Sequence, residues 1–196
     1  MNLTELQAEV YVQTNLPRLV DETLAAIRSA TLKLHQRDYF YRDLKEVAIN
    51  LGTAAYVQSF EYKTLFFRWR ALKYIRRALA DGSVVAPSLE VISPENFMDN
   101  YNIARTNVAY VAGDYLQIKC AELLQYAVLG FYQHPAITNA GYNSWIAEDY
   151  PYAIIHEAAA IIFASVGDDS QARNQKILAA ESYQAVVASN TQGIGY

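Results

Sequence analysis

The chain has 196 residues, 53% of them hydrophobic and 18% charged, with a net charge of −4. That apolar content excludes general disorder, the single Cys120 excludes a disulfide framework, and the acidic balance excludes a polybasic attraction to nucleic acid. No apolar run reaches the roughly 20 residues a membrane helix needs, and the start, MNLTELQAEV, lacks the basic and apolar regions of a signal peptide, so a soluble protein made in a cytoplasm is expected.

Leu3 to Thr14 reads as a helix, capped by Asn2 or Thr4, with Leu3, Leu6 and Val10 at helical spacing. Asn15-Leu16-Pro17 breaks it. A second helix follows to about Gln36, with Leu24, Ile27, Ala30 and Leu34 as its apolar stripe and acids at its start, bases at its end. From Asp38 the period changes. Val47 to Gly52, Ala55 to Tyr62 and Val84 to Ala86 favour strands. Leu65 to Leu79 fits either period, and its second half leans to strand because it runs into the turn Asp81-Gly82-Ser83. Ser93-Pro94-Glu95 predicts a short helix ending near Asn100. Val108 to Val111 and Tyr115 to Ile118 flank Ala112-Gly113-Asp114 as a hairpin, and Leu124 to Gln133 forms a further strand that His134-Pro135 ends.

The last region is helical again. Asp149-Tyr150-Pro151 starts a helix to about Ser165 that is apolar on most sides, and such a helix is buried. Gly167-Asp168-Asp169-Ser170 turns into a final helix to about Ser189, with Ile177, Ala180, Tyr183, Val186 and Val187 expected inward. The expected fold is therefore α+β and mainly helical: an N-terminal helix pair and two closing C-terminal helices around a small antiparallel β insertion. In this reading 1–196 is a single domain, with helical segments 1–37 and 148–189, a strand-rich insertion 38–135 and a flexible tail 190–196.

Chemistry-bearing patterns are missing. His35, His134 and His156 lie far apart, and His156-Glu157 is followed by Ala160 where a zinc helix needs its second histidine, so no metal site is expected. Cys120 sits in a strand and is expected to be a buried structural thiol. No GxGxxG, GxxxxGK[ST] or GxSxG occurs. Acid pairs at Glu148-Asp149 and Asp168-Asp169 fall at helix starts, where capping explains them. No catalytic residue and no cofactor is expected.

Two features point to contacts instead. Sixteen tyrosines are many for this length, and tyrosine favours interfaces. Arg68, Arg70, Lys73, Arg76 and Arg77 crowd into ten residues beside Phe67, Trp69 and Tyr74. Bases among aromatics suit single-stranded nucleic acid, which makes segment 67–77 the basis of an alternative reading. Residues 1–92 hold 12 bases and 10 acids, whereas 93–196 hold 4 and 10. That imbalance favours the cationic side of a subunit interface.

Ala30-Thr31-Leu32-Lys33-Leu34-His35 runs into Asp38-Tyr39-Phe40-Tyr41-Arg42-Asp43-Leu44. Asp149-Tyr150-Pro151-Tyr152-Ala153-Ile154 follows late in the chain, and Gly167-Asp168-Asp169 separates the closing helices. In this order the chain resembles the head-to-tail adaptor (connector, or neck) proteins of tailed bacteriophages. The resemblance implies a structural virion protein without catalytic activity, made in the host cytoplasm and located in the neck. It implies a ring of twelve subunits under the portal protein, contacting tail or nozzle proteins and passing DNA without sequence-specific binding, with no membrane partner. Adaptors of this kind engage the portal through a C-terminal extension. That places portal docking on Asn190, Thr191, Gln192, Ile194 and Tyr196, where Gly193 and Gly195 loosen the chain between the apolar anchors.

Overall fold

The computed structural model of the protein describes residues 1–66, 68–98 and 103–193. It divides into two compact units: the first from residues 1–43 and 134–196, the second from 44–133.

In the first unit, α1 (Leu3–Thr14) opens with a reciprocal cap, the Asn2 side chain accepting from the Glu5 N–H while Glu5 accepts from the Asn2 N–H. Asn15 closes it in the left-handed region, φ 55°. Next, α2 (Val20–Gln36) starts three residues after Pro17 and buries Thr23, Ala26, Ile27, Ala30, Thr31, Leu34 and His35. A 3-10 turn (Tyr41–Asp43) leads out of the unit. Return is through α4 (Trp145–Asp149), α5 (Pro151–Ser165) and α6 (Asp169–Gly193). The middle one of these, α5, touches α1, α2, α4 and α6. Ile154, Ile155 and Ile162 of this helix are buried, each worth about 1.5–3 kcal/mol.

The second unit overturns the expected fold class. Helix makes up 43% of the protein and strand 35%, so the chain is α+β without being mainly helical, and the insertion is not small. Its strands are β1 (Leu44–Glu61), β2 (Trp69–Ala78), β3 (Val84–Val91), β4 (Val108–Ala112) and β5 (Tyr115–Gln133), with a one-turn α3 (Tyr62–Leu65) after β1. All neighbours are antiparallel except β3 and β4. Along one edge β5 pairs first with β4 and then with β2, and β3 joins those two, closing a four-stranded barrel; β1 pairs with the other edge of β5. The barrel holds Ile75, Leu89, Leu116, Ile118, Leu129 and Phe131, with Trp69 stacked 4.7 Å from Phe131.

Sequence patterning divides β1 and β5 into four shorter strands. Each runs through as one. β1 bulges between Asn50 and Ala55, and β5 bulges between Lys119 and Leu124. Gln58 holds the bulge by donating to the Thr53 and Leu124 carbonyls, both at 2.8 Å. Gly52, at φ +97°, makes the local turn that a side chain would strain. The helix expected from Ser93 is a single 3-10 turn, Pro94–Asn96; its expected end at Asn100 lies outside the described residues.

Candidate functional site

The motifs at 30–44 and 148–154 meet in the first unit. Nδ1 of His35 lies 2.8 and 2.9 Å from the Asp43 carboxylate oxygens, and its Nε2 lies 2.9 Å from Ser144 Oγ. The indole N–H of Trp145 donates to Asp43 at 2.8 Å, and its ring packs edge-on against Phe40 and His35. Asp, His and Ser in this order are the groups of an acyl-transfer triad. Here His35 is 2% and Ser144 3% exposed, and Ser144 Oγ also accepts the Ala147 N–H as the cap of α4. The polar atoms are spent joining α2, the 3-10 turn and α4, which satisfies buried groups that would otherwise cost about 1–3 kcal/mol each.

Further links surround the network. Lys33 of α2 and Arg37, which caps its C-terminus, both bind the buried Glu157 carboxylate of α5. Arg42 pairs with Asp149 and lies 4.7 Å over the Trp145 ring. The Thr31 hydroxyl meets the Tyr142 hydroxyl at 2.7 Å, and burial pushes the Tyr142 phenol up to about 12. A cleft of about 310 Å³ opens beside Ser144, lined also by Met1, Asn2, Glu5, Tyr142, Asn143 and Glu148; Asn2 and Glu5 are already committed to capping α1. Sequence reasoning missed this network. Its signal was present: His35 falls on the apolar stripe of α2, eight residues before an Asp in an aromatic run.

The five bases expected at a subunit interface lie on or just before β2, and the strand splits them. Neighbouring Arg76 and Arg77 point to opposite faces. Arg77 is buried, 2.5 Å from Glu122 and donating to the Ala86 carbonyl. It cannot serve as an exposed contact. Arg76 is half-exposed, 4.3 Å over the Tyr74 ring and 4.0 Å from Glu46. The Tyr74 hydroxyl donates to Glu46, and that bond holds the phenol above its ordinary range. Lys73 is exposed, Arg70 is half-buried, and Arg68 sits at φ +66°. Phe67 lies outside the described residues. Cys120 is buried, and burial raises its thiol.

The segment expected to be a flexible tail is helical through its first four residues. α6 continues through Asn190, Thr191 and Gln192 to Gly193. Asn190 is buried and its side chain accepts the Tyr41 N–H at 3.0 Å. Ile194 and Tyr196 lie outside the described residues. No helix among the described residues is long and apolar enough to cross a membrane, and no group of metal-ligating side chains is found among them. Compared with known proteins, the chain matches no family model, and no curated protein matches it.

Proposed function

We propose that the protein is a structural component of a virion that forms a ring, joins the portal to the tail and continues the DNA channel. One observation carries this reading. The motifs that bear the resemblance supply Thr31, His35, Phe40, Arg42, Asp43 and Asp149 to one helical unit, and the strand unit is inserted between them in the order expected of an adaptor. Charge agrees with head-to-tail subunits. Residues 44–133 carry 9 bases and 8 acids, whereas the rest carry 7 and 12, so two unlike surfaces are available to meet. An acidic excess also keeps a passing duplex from sticking through its phosphates.

Binding of single strands by residues 67–77 loses support, because burial of Arg77 and the stacking of Arg76 on Tyr74 break up the basic run. The test is electron microscopy of the protein mixed with its portal, beside a chain truncated after Gly193. Rings on the portal for the full chain and none for the truncated one are expected. Absence of rings with the full chain, together with oligonucleotide binding that weakens with salt, would instead establish the single-strand reading.

A further inference from the structure

The sequence groups Asn190 with the residues that touch the portal, yet its side chain is turned inward. It is 8% exposed, and its Oδ1 accepts the Tyr41 N–H at 3.0 Å. Asparagine is a poor helix former, and the other buried residues of α6 are Ala172, Gln175, Ala179 and Val186. Of these only Gln175 is polar, and it meets His156 of α5. A polar residue at an inner position is satisfied only where its partner stands, so it fixes register in a way that an apolar residue does not. A slip of α6 by one turn would carry Asn190 about 5.4 Å from Tyr41 and break the bond.

The partner is itself held in place. Phe40, fully buried, packs edge-on 5.2 Å from the Trp145 ring and 6.4 Å from the Tyr183 ring. In the 3-10 turn that follows, Arg42 pairs with Asp149, and Asp43 is bonded to His35 and Trp145. Tyr41 therefore sits in a segment tied to both α2 and α4. α6 needs that support. It has 25 residues against 15 in α5, and with His156 facing Gln175 it runs on past the start of α5. Beyond that point Tyr183 meets Phe40 and lies 4.9 Å under Arg37, and Asn190 meets Tyr41.

We propose that Asn190 is a positioning residue and not a portal contact: it pins the far end of α6 to the 3-10 turn and so fixes where the docking segment begins. Thr191 and Gln192 continue that helix, and a helix end already ordered loses less freedom when it docks. A ring also needs every copy to present this end in the same place, which a fixed register supplies. The inference rests on the portal reading for its purpose, and not for the bond itself.

Three variants test it. Asn190→Ala removes the acceptor, Tyr41→Pro removes the donor from the other side, and Tyr41→Ala keeps the N–H while removing the ring. Hydrogen exchange of the amides at 184–193 should quicken about fivefold in the first two and hold in the third. Titration against portal should follow the same division, weakening by up to about fivefold, because docking sees only chains whose helix end is formed. Unchanged exchange in Asn190→Ala would overturn the pin. Faster exchange with full-strength attachment would overturn the positioning role. Weaker attachment with unchanged exchange would make Asn190 a portal contact after all. A wild type that does not attach refutes the portal reading and the docking role with it, while exchange still judges the pin.

Discussion

Gly130 of β5 is paired with Glu46 of β1 on one side and Tyr74 of β2 on the other. The Tyr74 ring lies across it, and a Cβ placed there would stand 2.3–2.6 Å from ring atoms, far inside the roughly 3.5–4 Å of carbon contact. Gly130→Ala therefore drives the ring away. That loses the hydroxyl's bond to Glu46, worth about 1 kcal/mol at an exposed site, and the stacking of Arg76, worth about 0.5–1 kcal/mol. Alanine in place of a strand glycine returns about 0.5–1 kcal/mol. The net expectation is a loss of about 1 kcal/mol. In a Tyr74→Ala background the obstruction is gone, and the same substitution should stabilise by about 0.5–1 kcal/mol. Urea denaturation of the four chains measures both effects and their coupling, expected near ~2 kcal/mol. The same loss in both backgrounds would refute the argument that the ring requires this glycine.

Other expectations follow from the first unit. His35→Leu leaves the buried Asp43 carboxylate with only the Trp145 N–H of its two side-chain partners, and thermal unfolding should show a loss of about 3–5 kcal/mol; a loss below ~1 kcal/mol would mean that the network is not holding the unit. Tyr142 keeps its proton to about pH 12 when folded, whereas an unfolded tyrosine loses it near ~10. Its contribution is whole below about pH 10 and disappears as pH rises toward 12, a fall of roughly 2–3 kcal/mol. Tyr142→Phe should escape that fall, and a wild-type-minus-variant difference that stays constant across this window would contradict it. Asn190→Ala should cost about 1 kcal/mol through the lost bond to the Tyr41 N–H, measurable by chemical denaturation; no change would return this position to the tail.

Local signals served best where one side chain decides the backbone. Asn2 and Glu5 place the start of α1, Pro151 starts α5, and Gly113 with Asp114 makes the β4–β5 turn. They failed where distant groups decide. Gly52 reads as the end of a strand, yet Gln58 reaches back to hold the bulge and β1 continues. On α6 the apolar pattern turns Ile177 and Ala180 inward, whereas Ala172, Gln175 and Ala179 are the buried residues. Gln175 takes an inner position because His156 of α5 meets its side chain at 2.7 Å, so a polar residue sits where periodicity looks for an apolar one. The basic cluster of β2 reads as continuous along the sequence, and strand alternation divides it between faces. In the His35 network Asp43 is only eight residues away, whereas Ser144 and Trp145 join from more than a hundred residues along the chain, beyond the reach of any spacing rule.

Insertion of the strand unit also orders events on the ribosome. The apolar stripes of α1 and α2 find their main cover in α5, yet 114 residues lie between Gln36 and Pro151. At about 5–20 residues per second, roughly 6–23 s of synthesis separate the two. During that interval β1 to β5 are completed, so the second unit has all of its strands while Leu6, Val10, Ile27 and Leu34 still wait for a partner. The helical unit that begins the chain is thus the last to close, and its first helices are the region of the nascent protein most in need of protection.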